Sequence, residues 1–162
     1  MPKKIGKIMR ERWMTIAILV VGFDQTTEHI STERLSVVDP IHVFPGLDFT
    51  LRHNTGAGWS LLAGESGWQR WFLIGLAMVV SLVIYIWLGK LSPKEKMEAC
   101  ALSLILGGAF GNLLDRINHG YVIDFILFYY NEKWQWPAFN IADTAICIGV
   151  ALLIPILLKK EN

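Results

Sequence analysis

Residues 139–158 read FNIADTAICIGVALLIPILL. Twenty residues at 1.5 Å per residue make a helix of about 30 Å, the thickness of a bilayer's hydrocarbon core. The stretch is apolar except near its start, where Asn140, Asp143 and Thr144 stand. Asp143 lies about 6 Å into such a helix, with no cation adjacent in sequence. An ionisable group inside a membrane is costly, so an isolated one is a functional candidate by default.

Working outward, three more apolar runs have span length: residues 97–114, 71–88 and 13–30. The last is the weakest, turning polar at Asp24, Gln25, Glu28 and His29. The sequence therefore predicts four transmembrane helices. Lys3, Lys4, Lys7, Arg10 and Arg12 precede the first span, Lys90, Lys94 and Lys96 separate the second from the third, and Lys159 and Lys160 follow the fourth. By the positive-inside rule these regions face the cytoplasm, which puts both termini inside.

The composition agrees with a membrane protein. Of 162 residues, 53% are hydrophobic and only 18% charged, against about 25% charged in soluble domains. The length predicts one domain, residues 1–162. A net charge of +1 leaves no broad basic surface, so no nucleic-acid partner is expected. Seven Trp and eight Phe suit membrane-interface anchoring. No small-x-small cleavage site follows the basic start and first apolar run, so no cleavable signal peptide is expected. Cys100 and Cys147 sit in apolar runs at different depths and read as packing thiols. There is no internal repeat.

The two outer segments differ. In residues 31–67, Ile41 to Leu51 alternates enough to suggest short strands. Tyr121 to Tyr130 is apolar except for Asp124, too short to cross, and reads as an interfacial segment.

Polar residues converge at one depth. Asp24 ends the first span. Asn112, Asp115 and Arg116 share a face near the end of the third, at i, i+3 and i+4. Asn140 and Asp143 share a face at the start of the fourth, and Asn54 and Asp124 come from the outer segments. Several have structural alternatives. Asp24 suits a helix end among headgroups. Asp115 and Arg116 suit an ion pair, Asn112 and Asn140 suit interhelical hydrogen bonding, and Asn54 suits a turn. Asp124 and Asp143 have no such ready explanation. Two carboxyls brought close cannot both ionise easily, so one stays protonated and one charged. The charged one can activate water; the protonated one can polarise a carbonyl and later protonate a leaving amine. That is the logic of an aspartic peptidase. No metal-ligand spacing, GxSxG or phosphate-cradling loop offers a rival chemistry. Gly107 and Gly111 form a GxxxG on the third span, with Gly108 beside them, and read as a close helix-packing face.

These motifs resemble the lipoprotein signal peptidase (signal peptidase II) family of bacterial inner-membrane aspartic peptidases. The resemblance rests on Asp24-Gln25, on Asn54-Thr55-Gly56-Ala57, on the run from Gly107 to Arg116, on Val122-Ile123-Asp124-Phe125 and on Phe139-Asn140-Ile141-Ala142-Asp143-Thr144. It covers essentially the whole chain, and the last three pieces together are highly specific.

The resemblance implies that Asp124 and Asp143 are the catalytic pair. It implies that Asp24, Asn54, Gly56, Asn112, Asp115, Arg116, Asn140 and Ala142 bind substrate or inhibitor or shape the site. It further implies an all-α membrane protein, a four-helix bundle with a small periplasmic β-sheet cradle and a short interfacial helix, the helix fitting residues 121–130. The substrate would be a prolipoprotein whose cysteine carries a diacylglyceryl group, cut just before that cysteine at the periplasmic side, among membrane lipids. No metal or cofactor is implied, and a globomycin-type cyclic peptide would inhibit. Trp59, in the first outer segment, would help clamp substrate. The residues leave two other readings: a small proton-coupled transporter, or a lipoprotein-binding paralogue without catalysis. One position departs from the family's usual Asp-Gln-x-x-Lys: here the fifth residue is Glu28. His29 or Arg34 is the expected source of a compensating positive charge.

Overall fold

The computed structural model describes residues 2–56, 66–130 and 134–161, with side chains placed for 11–56, 66–130 and 134–159. Ala57 and Trp59 lie outside the described residues. Four long helices and four short strands follow in the order α1 (Pro2–Arg34), β1 (Ile41–Phe44), β2 (Leu47–Asn54), α2 (Trp68–Leu88), α3 (Lys96–Asn118), β3 (Val122–Tyr130), β4 (Trp134–Gln135) and α4 (Ile141–Glu161). The predicted spans 13–30, 71–88, 97–114 and 139–158 fall on α1, α2, α3 and α4. Among the described residues three helices are long and apolar enough to cross a membrane: Trp68–Leu88, Lys96–Asn118 and Ile141–Lys159. The outer part of α1 is too polar to join them.

Helix α3 is the centre of the bundle, and α1, α2 and α4 pack around it. Its span is 61% buried inside the protein, against 28% for α2 and 17% for α4. Small residues allow the approach. A Cβ at Gly107 would stand 2.7 Å from Val20 Cβ and 2.8 Å from the Ala17 carbonyl; one at Gly108 would collide with the Ala142 carbonyl; one at Gly111 would collide with the Asp24 carboxyl. The predicted packing role of this glycine face is borne out. At the end away from the sheet, Ala17, Ile84, Leu88, Ala99, Leu102, Ile105 and Leu106 form a buried apolar cluster. There Trp87 Nε1 donates to buried Glu98 at 3.0 Å. Apolar side chains such as Ile18, Leu19, Trp71, Val79, Val83 and Ile154 face outward, as helices bathed in lipid require. Cys100 is half-buried and Cys147 is exposed, both free. Only Cys100 is thus in a position to act as a packing thiol.

The strands form one antiparallel sheet in the order β1-β2-β3-β4. Strands over 41–51 were expected and are present. The segment 122–130 corrects the expectation of a short interfacial helix: it is strand β3, paired with β2 from Asn54 opposite Val122 to Leu47 opposite Phe128. Val122, Ile123, Phe125, Ile126, Phe128, Tyr129 and Tyr130 are β-branched or aromatic, the types that pack well on a pleated surface. Residues 122–125 are all buried, so both strand faces are covered. That leaves a run apolar except for Asp124, with no period-2 signal to distinguish strand from helix.

Two connections aim the sheet at the helices. Gly120, at φ +89°, makes the turn from α3 into β3. A side chain there would be strained, and it would also press on the Arg70 guanidinium 3.3 Å away. Arg70 donates to the carbonyls of Arg116 and Ile117 at 2.9 and 3.0 Å, satisfying the last turn of α3. On the far side, Phe139 exchanges backbone hydrogen bonds with Ile126 at 3.0 Å, so β3 also holds the chain that enters α4.

Candidate active site

Asp124 lies on β3 and is 2% exposed. Its register partner on β2 is Arg52. Two residues further along β2, Asn54 closes an Asx turn by accepting the Gly56 N–H at 3.0 Å and donates Nδ2 to Asp124 Oδ2 at 3.1 Å. The turn reading of Asn54 and its site reading are therefore the same geometry. Asp124 Oδ1 is buried and has no hydrogen-bond partner among the described residues. Burial, and next the charge of nearby Asp143, push the Asp124 carboxyl up from 3.8 to about 8. The Asn54 hydrogen bond and the Arg116 charge act in the opposite direction.

Asp143 lies in the first turn of α4 and is half-buried. Asn140 is the residue before that helix and is its N-cap: its Oδ1 accepts the Asp143 N–H at 2.9 Å. Asn112 on α3 donates Nδ2 to Asp143 Oδ1 at 2.8 Å. Asn140 Nδ2 lies 3.2 Å from Asn112 Oδ1, so the two asparagines are also linked to each other. Their expected role as interhelical glue is fulfilled, and the same bonds fix Asp143.

Asp24 and Asp115 are fully buried and hold backbone. Asp24 Oδ1 accepts the Ala142 N–H at 2.7 Å, tying α1 to the N-terminus of α4. A carboxylate there also meets the positive end of the helix dipole. Asp115 Oδ2 accepts the Ile123 N–H at 2.9 Å, and its Oδ1 accepts from Gln25 Nε2 at 2.9 Å. Arg116 makes no ion pair with Asp115 among the described residues, in contrast to the structural alternative. It donates instead to the Asn112 carbonyl at 3.1 Å and the Gly56 carbonyl at 2.7 Å. Its charge faces Asp143, Asp124 and Asp115.

All ten residues singled out in the sequence thus meet at the sheet end of the bundle. Two were missed as members of the network: Gln25, which donates to both Glu28 and Asp115, and Glu28 itself. The i, i+4 relation of Asp24 and Glu28 was the available signal. The expected compensating cation is not found in His29, whose exposed ring turns to Glu33 at 3.5 Å. Arg34 is exposed as well.

The comparisons with known proteins agree with this geometry. The pattern of the family described as Signal peptidase (SPase) II matches residues 16–159. A lipoprotein signal peptidase of Teredinibacter turnerae is 48% identical over 151 residues, covering 93% of this chain and 89% of that protein. One from Pseudomonas fluorescens is 43% identical over 163 residues, covering 100% and 96%. Among solved structures, a bacterial membrane enzyme determined in meso at 2.3 Å superposes with a TM-score of 0.81 at 32% identity, covering 94% of this chain and 90% of that one. The transporter alternative finds no support in these likenesses. A family match over nearly the whole chain, together with a buried site assembled from the same motifs, leads to one conclusion: the chain belongs to the signal peptidase II family, the lipoprotein signal peptidases.

Proposed function

We propose that the chain, as one integral membrane domain spanning residues 1–162, is an aspartic endopeptidase with Asp124 and Asp143 as its catalytic dyad. It removes the signal peptide from diacylglyceryl-modified prolipoproteins, cutting just before the lipidated cysteine. It sits in the bacterial inner membrane with four spans, both termini cytoplasmic and the site toward the periplasm. The fourth span is α1, whose polar outer part is buried against α3 and α4 instead of facing lipid.

One observation carries the chemical assignment. Asp124 and Asp143 are each held by a single side-chain amide, Asn54 and Asn112, and Asp124 feels the charge of Asp143. In the reaction the proton rests on Asp124, the group lifted to about 8. Asp143, facing the Arg116 charge, takes a proton from water as its oxygen attacks the scissile carbonyl. Asp124 donates its hydrogen bond to that carbonyl oxygen. The C–N bond then breaks, the new carboxyl end leaves with the signal peptide, and the cysteine nitrogen takes up a proton from the dyad. No cofactor enters the scheme. A globomycin-type cyclic peptide would compete for the same cleft.

The test is incubation of the purified protein, in lipid, with a diacylglyceryl prolipoprotein, following release of the signal peptide. Release that depends on the substrate's lipid group and stops with a globomycin-type inhibitor is expected. Equal cleavage of unlipidated precursor would remove the lipid requirement, and absence of cleavage by folded protein would favour the non-catalytic reading.

A further inference from the structure

Glu28 stands where a lysine is usual in the family the chain resembles, and it is 2% exposed. Its Oε1 accepts from Asn140 Nδ2 at 2.9 Å, and its Oε2 accepts from Gln25 Nε2 at 2.7 Å. We propose that Glu28 is a positioning residue for the peptidase reaction: as hydrogen-bond acceptor for Asn140 it orients the asparagine pair that fixes Asp143. The inference rests on Asp143 being catalytic, as read above.

A primary amide has one accepting side and one donating side. Asn140 has its accepting side committed, because Oδ1 takes the main-chain N–H of Asp143 at 2.9 Å, and a main-chain N–H can only donate. Nδ2 must therefore face acceptors. It has three within reach: Glu28 Oε1 at 2.9 Å, Asn112 Oδ1 at 3.2 Å and the Ile123 carbonyl at 3.3 Å. Glu28 supplies the shortest of these, and Asn140 is wholly buried, so no water replaces it without rearrangement. Turning Asn112 Oδ1 toward Asn140 points Asn112 Nδ2 the other way, onto Asp143 Oδ1 at 2.8 Å. The direction of every hydrogen bond from Glu28 to the Asp143 carboxylate is thereby set. Asp143 is gripped at its main chain by one asparagine and at its side chain by the other. Among the described residues Glu28 makes no hydrogen bond to Asp143 itself.

Two variants separate the acceptor from the carboxyl. Glu28→Gln keeps an oxygen for Asn140, and its amide nitrogen takes the place of Oε2 against Gln25, whose own amide turns its oxygen to it. Glu28→Asp keeps the carboxyl but withdraws its oxygen by one methylene. Both variants fit the native space. The experiment measures kcat and KM for cleavage of a diacylglyceryl prolipoprotein in lipid, per molecule of folded protein, with Asp143→Asn beside them. Glu28→Gln is expected to keep kcat within about twofold of the native enzyme, while Glu28→Asp loses about 10- to 100-fold in kcat with KM little changed, the scale of a small misplacement of a reacting group. Full activity in Glu28→Asp would overturn the proposal. So would loss of kcat in Glu28→Gln, which would make the charge essential, or losses in either variant that only track folded protein. Turnover by Asp143→Asn would instead overturn the dyad assignment, whatever the Glu28 variants do.

Discussion

Four aspartates meet at the sheet end of the bundle, and they divide by what they accept from. Asp24 and Asp115 take main-chain N–H groups, of Ala142 and Ile123, Asp115 with the Gln25 amide besides. Asp124 and Asp143 take side-chain amides, of Asn54 and Asn112. A carboxylate that holds a main-chain N–H fixes the course of the chain: Asp24 fixes the start of α4, and Asp115 the start of β3. A carboxylate held by one amide is oriented without being used up, and keeps capacity for a substrate. On the proposed function these four aspartates divide into a scaffolding pair and a reacting pair, though all are the same residue type at one end of the bundle.

The sharpest way to break that division is to neutralise each reacting acid. Asp124→Asn and Asp143→Asn are each expected to lower turnover by about 1000-fold or more, with the double variant little worse than either, as for groups that act as one unit. Thermal unfolding in lipid or detergent should stay near the native midpoint. Turnover within about tenfold of native in either variant would move that residue to the scaffolding pair.

The scaffolding pair should answer differently. Asp24→Ala leaves the Ala142 N–H without its acceptor, at a cost of about 1–3 kcal/mol. Asp24→Asn, which keeps an oxygen, should return most of it. Activity should fall only with the folded fraction, as read by unfolding midpoint and turnover on the same samples. A loss of turnover in fully folded Asp24→Asn would erase the distinction between the pairs.

Gly108→Ala tests whether the two pairs share one frame. Its Cβ would collide with the Ala142 carbonyl, one residue from Asp143. A destabilisation of about 1–3 kcal/mol is expected from such overpacking. Gly22→Ala, where a Cβ meets open space, is the control and should not lower the midpoint. Equal midpoints for the two variants would show that α3 and α4 can part without cost.

The smallest expected effect is on pH dependence. The Asp124 carboxyl lies near 8 in the folded protein against an ordinary 3.8. Between those values the folded state keeps a proton that the unfolded chain releases. Its contribution to stability therefore falls as pH rises through that window and stops changing above it. Asp124→Asn should flatten that part of the stability profile, measured by unfolding across pH. In the native enzyme, turnover should decline above about pH 8 as the acid ionises. A profile identical in both proteins would mean that Asp124 does not hold the proton.

Much of this was legible in the chain. Asn112, Asp115 and Arg116 share a helix face by spacing alone, and Asn140 and Asp143 announce a capped helix start. The glycines of α3 marked the close contact that the structure contains. Other features were hidden for identifiable reasons. Residues 122–125 are covered on both faces, so the pattern there carries no period. Glu28 read as an anion in place of a lysine, with His29 or Arg34 as its counter-charge; its burial was not legible, and His29 points away to Glu33. Sequence spacing places a residue on a helix face but does not say what that face meets.

The sequence by itself determined the membrane-length helices and the gathering of acids and amides at one end, because rise per residue, apolar run length and the i, i+3, i+4 repeat are local properties of the chain. Tertiary structure alone decided which donor reaches each acid. Ala142 meets Asp24 across 118 positions, Asn140 meets Glu28 across 112, and Asn54 meets Asp124 across 70. A carboxylate's role follows from the donor that reaches it and from the water that packing excludes, and neither is written in the residues beside it.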